Sequence, residues 1–536
     1  MSSTQKARGR SKRATPWAAL WVAFLGLSVL LRAPTTAHAS RGLDGPSDFQ
    51  TIDAYVTSQM QSMHIPGVAL GIVHGDKIVH LQGFGVANPA GHLMTPQTPL
   101  VLGSTSKSFT ALAIMQLVEA GKISLDAPVQ KYLPWFEVDA HLVPGAASSI
   151  TVRHLLNQTS GIPTGRTNGA SLTGHADETL EEAVRALKEV APTAGAGTTF
   201  QYSNSNYVIL GQIVQTVSGQ TYESYVQDHI FAPLHMQQSF VSQSEAMRHD
   251  MATGYRWWFG VPIPADPPQS AATVPAGDLI SSAQDMAQYL IAQLNDGRYL
   301  QTAVLSSSGI AQLHDPAAPM DPDGAHGIAY GMGWAISSVG EPSVWHSGDN
   351  ANFHSDMTLL PAQNLGVVVL MNVNGNLSIA TNAQGVIAQG VQQLLLGHEA
   401  PAVSGFWPLY MLFDAALFIC SSLAIGSLVR LLRSSNPPPR RGPLSVLTGL
   451  VLPLLWELAL PLGLLIGFPS MAQASWPLTL LFFPDLGYWM IAFCVVLLAT
   501  GSLRLILARL RLSKPGMQLH RLGLPRPMGN APLSDR

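Results

Sequence analysis

Apolar residues recur at Phe49, Ile52, Tyr55, Val56, Met60 and Met63, a helical spacing that follows Ser47 and Asp48, both able to cap. The pattern predicts an opening amphipathic helix. Residues 68–73 and 77–81 are β-rich runs separated by His74, Gly75 and Asp76, which predicts a hairpin. Three more strand-like runs, 330–337, 354–360 and 365–371, precede an amphipathic run over 379–396 that predicts a closing helix. The middle of the chain, from about residue 126 to 293, is mainly helical with long loops, and Ser282 to Asp285 resembles a capping box. The predicted fold is α/β: an antiparallel sheet flanked by helices, with an inserted, mainly helical lobe. A cleft is expected between sheet and lobe.

After residue 405 this periodicity gives way to three apolar stretches, 406–429, 444–468 and 486–507. Each reaches the roughly 20 residues that cross a bilayer as a helix. Arg430, Arg433, Arg440 and Arg441 separate the first two, and Arg504, Arg509, Arg511, Lys514, Arg521 and Arg526 close the third, whereas 469–477 is uncharged. The positive-inside rule puts both Arg-rich segments in the cytoplasm and the domain before residue 406 outside. Asp414 and Glu457 fall inside predicted spans, where a carboxylate faces protein, water or the interface.

The N-terminus carries Lys6, Arg8, Arg10, Lys12 and Arg13, then an apolar run over 17–31, then Ala37, His38 and Ala39. That is the layout of a signal peptide cleaved after Ala39, with an uncleaved signal anchor as the alternative. The organisation expected is 1–39 signal peptide or anchor, 40–396 exported domain, 397–405 linker, 406–510 three transmembrane helices and 511–536 basic cytoplasmic tail. The lipid bilayer is therefore an expected partner.

Charged residues are 11% of the 536 and the net charge is -3, so no global field attracts nucleic acid. Cys420 and Cys494 both lie in the C-terminal apolar stretches, which leaves the exported part without a disulfide or thiolate metal site. No group of His, Asp and Glu has metal-ligand spacing, and neither metal nor cofactor is expected.

Candidate chemistry begins at Gly103-Ser104-Thr105-Ser106-Lys107, followed by an apolar helical run that Gly121 should stop. Ser104 at a helix N-terminus sits where free N–H groups favour an anion, and Lys107, three residues on, shares its face. Such a pair can activate the hydroxyl without a Ser-His-Asp triad. Tyr202-Ser203-Asn204 follows a Gly-rich turn and precedes an apolar helix; it offers a phenol as proton carrier and an amide for a substrate carbonyl. In Trp345-His346-Ser347-Gly348-Asp349, a strand with Gly348 lets a substrate backbone approach. The N–H of Asp349 can complete an oxyanion hole with that of Ser104.

The ordered motifs Ser104-x-x-Lys107, Tyr202-x-Asn204 and His346-x-Gly348 resemble those of the class C beta-lactamase and D-alanyl-D-alanine carboxypeptidase superfamily of penicillin-recognising enzymes. Residues 65–69, 83–85, 154–161 and 275–277 with Asp285 and Met286 support the resemblance, which covers roughly 52–396. It implies a serine hydrolase acting on a small-molecule or peptide substrate. Ser104 would form an acyl-enzyme, Lys107 and Tyr202 would share general-base work, and Asn204, His346 and Gly348 would bind substrate. The N–H groups of Ser104 and Asp349 would hold the oxyanion. His154 in the supporting stretch reads as structural. True beta-lactamases carry Lys-Thr-Gly as the third motif, with a cation for the substrate carboxylate; here it is His346-Ser347-Gly348, as in esterase and aminopeptidase-like members. The departure favours ester, amide or peptide substrates. A membrane sensor or scaffold that binds such ligands without efficient turnover is the alternative.

Overall fold

The computed structural model describes residues 46–163, 178–266, 270–321, 326–375, 382–402, 406–433, 451–472 and 476–512. The expected signal segment, most of the basic tail and the Arg-rich 434–450 lie outside the described residues.

Helix α1 (Pro46–Met63) leads into β1 (Gly67–His74) and β2 (Lys77–Gly85), the hairpin that the alternation predicts. The lobe contains α2 (Ser106–Glu119) and α3 (Asn204–Ser218), and α4 (Ala283–Leu294) returns the chain to the sheet. The sheet is completed by β3 (Ala318–Pro319), β4 (Ile328–Tyr330), β5 (Ala335–Ser337), β6 (Ser343–Asp349), β7 (His354–Leu360) and β8 (Leu365–Met371), and α5 (Gly385–Leu395) closes the domain. The strand order is β2-β1-β8-β7-β6-β5-β4-β3, antiparallel throughout.

Strands β1 and β8 are apolar at nearly every position because both faces of the sheet are covered. Val68, Leu70 and Ile72 pack with Ile52, Val56 and Met60 of α1 and Ile387 and Val391 of α5. On the other face, Ala69, Val73, Val368 and Leu370 join the lobe's core with α2 and α4. Chain ends thus cover one face and the inserted lobe the other, so α2 is buried from Ser106 to Leu117 with few exposed positions.

The run over 330–337 is not one strand. It breaks at Gly331-Met332-Gly333 into β4 and β5, and the turn packs against α2, since a Cβ on Gly333 would lie 3.0 Å from the Lys107 carbonyl oxygen. The Pro-rich part of the middle segment also departs from the helical expectation: Tyr255–Trp258 and Val261–Pro264 form a hairpin.

Two helices are long and apolar enough to cross a membrane, Tyr410–Arg433 within α6 (Phe406–Arg433) and Pro484–Leu510 within α8 (Pro484–Leu512). Of the expected middle span, the described part is a shorter apolar helix, α7 (Leu452–Phe468). Glu457 is buried there and meets Arg504 of α8 at 2.6 Å, a contact between helices. Asp414 is half-buried on α6. The Tyr255–Pro264 hairpin docks near the start of α8: Arg256 Nη1 donates to the Leu481 carbonyl oxygen in the preceding short helix Trp476–Phe482 at 3.0 Å, and Trp258 stacks on Tyr488 of α8.

Candidate active site

Ser104 lies in a 3-10 turn, Gly103–Thr105, that leads directly into α2. Gly103 has a φ of 58°, and a Cβ there would lie 2.6 Å from the Asp349 nitrogen. A Cβ on Gly348 would lie 3.0 Å from the Ser104 nitrogen. Glycine at both positions therefore allows the turn to sit against β6, with the backbone nitrogens of Ser104 and Asp349 as neighbours. Ser106 Oγ accepts from the Leu279 N–H at 3.1 Å, and Thr105 Oγ1 donates to the Leu102 carbonyl oxygen at 2.8 Å, which fixes the turn.

Lys107 is fully buried, and its Nζ lies 2.9 Å from Ser104 Oγ, 2.7 Å from Asn204 Oδ1 and 2.5 Å from the Ala276 carbonyl oxygen. Burial holds its amine well below the usual lysine range, an effect partly offset by Asp278. Tyr202 presents its ring 4.9 Å from the same nitrogen. Desolvation pushes the Tyr202 phenol well above the ordinary tyrosine range and Tyr330 adds to the rise, while a hydrogen bond with Ser104 opposes it. Burial thus favours the neutral form of both groups, the protonated phenol and the uncharged amine.

The supporting stretch after α2 has a physical task. Gln158 Oε1 accepts from the Ser203 N–H at 2.9 Å and from Asn206 Nδ2 at 2.6 Å, which pins the Tyr202-Ser203-Asn204 segment at the start of α3. His154 closes a capping box with Thr151, a structural role.

His346 on β6 is buried; its Nδ1 lies 2.6 Å from the Ser347 carbonyl oxygen and its Nε2 3.1 Å from Tyr330 Oη. A carbonyl only accepts, so Nδ1 donates to it; with the ring neutral, Nε2 is left to accept from the phenol. Burial, helped by the nearby Lys107, pushes this histidine down to about 3. It supplies no fixed cation at neutral pH.

All the predicted residues, Ser104, Lys107, Tyr202, Asn204, His346, Gly348 and Asp349, thus meet where α2, α3 and β6 converge. Sequence reasoning missed Asp278 and Tyr330. Asp278 follows the Pro275-Ala276-Gly277 stretch and is held by Asn350 Nδ2 at 2.6 Å and by Thr273. Its place one residue beyond that stretch was the available signal; for Tyr330 no sequence signal existed. Among the described residues no group of three His, Cys, Asp or Glu is placed to hold a metal.

Comparison with known proteins gives the family. Residues 52–392 match the Beta-lactamase family. The chain is 32% identical over 329 residues to Protein flp of Staphylococcus aureus, covering 61% of this chain and 63% of that protein. It thus spans just under two thirds of that relative's length. It is 32% identical over 326 residues to penicillin-binding protein 4 of Amycolatopsis lactamdurans, covering 59% of this chain and 82% of that one. Among solved structures, the octameric penicillin-binding protein homologue from Pyrococcus abyssi superposes with a TM-score of 0.57 at 31% identity, covering 66% of this chain and 78% of that chain. By family match, fold and the order of its motifs, the chain belongs to the beta-lactamase family of penicillin-binding-protein-like serine hydrolases.

Proposed function

We propose that this protein is a membrane-anchored, extracytoplasmic serine hydrolase that cleaves ester, amide or peptide bonds through an acyl-enzyme on Ser104. The observation that carries the reading is the coordination of Lys107. Asn204 Oδ1 and the Ala276 carbonyl oxygen can only accept, so they take two N–H bonds of the amine. A neutral amine then has its lone pair left for the Ser104 hydroxyl at 2.9 Å. Burial favours that neutral form.

In the reaction, Ser104 Oγ attacks the substrate carbonyl carbon and its proton passes to Lys107 Nζ. The carbonyl electrons move onto oxygen, which accepts from the N–H groups of Ser104 and Asp349. As the intermediate collapses, the Tyr202 phenol protonates the leaving group and is reprotonated from Lys107. Water then attacks the acyl-enzyme, giving its proton to Lys107, and the acid departs as that proton returns to Ser104. Asn204 has its amide Nδ2 available to orient the acyl chain, and Gly348 lets a substrate backbone lie along β6. Because His346 is neutral, a substrate carboxylate has no fixed cation there, which favours esters, amides and peptides over beta-lactams.

The membrane placement is supported by the two long apolar helices and by the arginines that flank them. One observation favours the sensor reading as a second possibility: the hairpin docked on α8, with the Phe259 N–H donating to Asp485 Oδ2 at 3.2 Å, joins the domain to the spans. The test is to treat the detergent-solubilised full chain with a fluorescent fluorophosphonate and with fluorescent penicillin. The native chain is expected to label and Ser104→Ala to stay dark; equal labelling of both overturns the assignment. A panel of p-nitrophenyl esters, D-amino-acid amides and nitrocefin then separates hydrolase from sensor, since a sensor labels and turns over none of them.

A further inference from the structure

An acidic residue at an oxyanion-hole position poses an electrostatic problem. If the Asp349 N–H stabilises a developing negative charge, its own carboxylate, a few bonds away, repels that charge. The structure contains a device that addresses this. Side chains alternate across a strand, so His346 and Gly348 face the lobe while Ser347 and Asp349 face the terminal helices. On that rear face, Asp349 pairs with His354 and Ser347 with Asp356 across the β6–β7 ladder.

His354 Nδ1 lies 2.8 Å from Asp349 Oδ1, and His354 Nε2 lies 2.7 Å from Asp356 Oδ2. Ionised carboxylates only accept, so both ring nitrogens donate and the ring is an imidazolium. It is 5% exposed, against 12% for Asp356 and 32% for Asp349. Asn374 is fully buried, and its Nδ2 lies 2.9 Å from Asp349 Oδ1, 2.8 Å from the Asn350 carbonyl oxygen and 3.1 Å from that of Phe353, so its two hydrogens are shared among three acceptors. Burial opposes the cation, yet the charges of Asp356 and Asp349 outweigh it and raise His354 to about 10.

We propose that His354 is a positioning residue for the oxyanion hole: clamped between Asp349 and Asp356, it pins the Asp349 carboxylate behind the strand and offsets its charge. The Asp349 N–H is thereby left to act on the cleft side as an undiluted donor. Asp356 fixes the far side of the ring, and Asn374 ties Asp349 to the segment that follows β8. This rests on the proposed roles of Ser104 as nucleophile and Asp349 N–H as oxyanion donor.

The test is a double-mutant cycle on the full chain, read as the rate of Ser104 phosphonylation by a fluorophosphonate. In that step the Oγ–P bond forms, the P–F bond breaks, fluoride leaves and the Ser104 proton passes to Lys107. His354→Gln is expected to slow the limiting labelling rate about tenfold or more while the half-saturating probe concentration stays within about twofold, against a one-donor loss of roughly a hundredfold. In an Asp349→Asn background, where the carboxylate charge is gone, the same His354→Gln change should cost under about threefold. Equal cost in both backgrounds overturns the proposal, as does a loss confined to probe affinity. If His354→Gln fails to fold, His354→Lys, which keeps a cation, takes its place and should retain more activity than His354→Met; equal loss in these two also overturns it. Failure of the underlying reading looks different, because Ser104→Ala would then label like the native chain.

Discussion

His346 and His354 stand on neighbouring strands and are about equally buried, yet they are in opposite states. His346 meets a phenol, a backbone carbonyl and the nearby Lys107, and burial drives it down to about 3. His354 meets two carboxylates, which overcome burial and hold it up at about 10. Burial alone does not decide charge; the partners that remain after water has gone decide it. The sheet separates the two outcomes. Its lobe face carries neutral groups and a desolvated amine, suited to taking up a proton, and its rear face carries fixed ions, suited to holding a backbone in place.

The largest effect that can break this contrast is on the lobe face. Lys107→Met should lower the labelling rate of Ser104 by about 10² to 10⁴, the usual range for loss of a general base. A drop of less than tenfold would mean another group does the work. On the rear face, Asp356→Asn leaves a buried imidazolium with half its counter-charge and should cost about 3 to 5 kcal/mol of stability, read by chemical denaturation. The same substitution should flatten the dependence of stability on pH. A histidine raised from 6.5 to about 10 contributes stability that is full below about pH 6.5 and is lost as pH rises through about 10. An unchanged profile in Asp356→Asn would show that Asp349 alone holds the proton. The smallest effect concerns Tyr330→Phe, which removes the donor to His346 Nε2 and should cost about 1 to 3 kcal/mol for an unsatisfied buried acceptor. A larger rise in the apparent pKa of His346 than in that of His354, followed by NMR titration, would sharpen the contrast further.

Much of the fold is written in local pattern. The β1–β2 hairpin follows from two β-rich runs around a Gly, and α2 ends at Glu119, capped by Ala120, before Gly121, whose φ is 68°. The approach of Ser104 to Lys107 is legible because residues three apart on a helix share a face. Tyr202, Asn204 and His346 could be placed only through their order and the family resemblance, since nothing local says that α3 and β6 converge on α2. The clamp on His354 was illegible for a related reason: it depends on the register of β6 against β7, where Asp349 faces His354. The run over 330–337 misled because its apolar residues hide a turn at Gly331 and Gly333, a tertiary contact with α2 that strand propensity does not encode.

Whether Lys107 acts as a neutral base at Ser104 is read from the pH dependence of Ser104 labelling. The rate should rise with pH and level off far short of the ordinary lysine value of 10.5. A rate that keeps climbing until about that value would mean the amine is an ordinary cation near neutrality, and the contrast between the two faces of the sheet would lose its catalytic half.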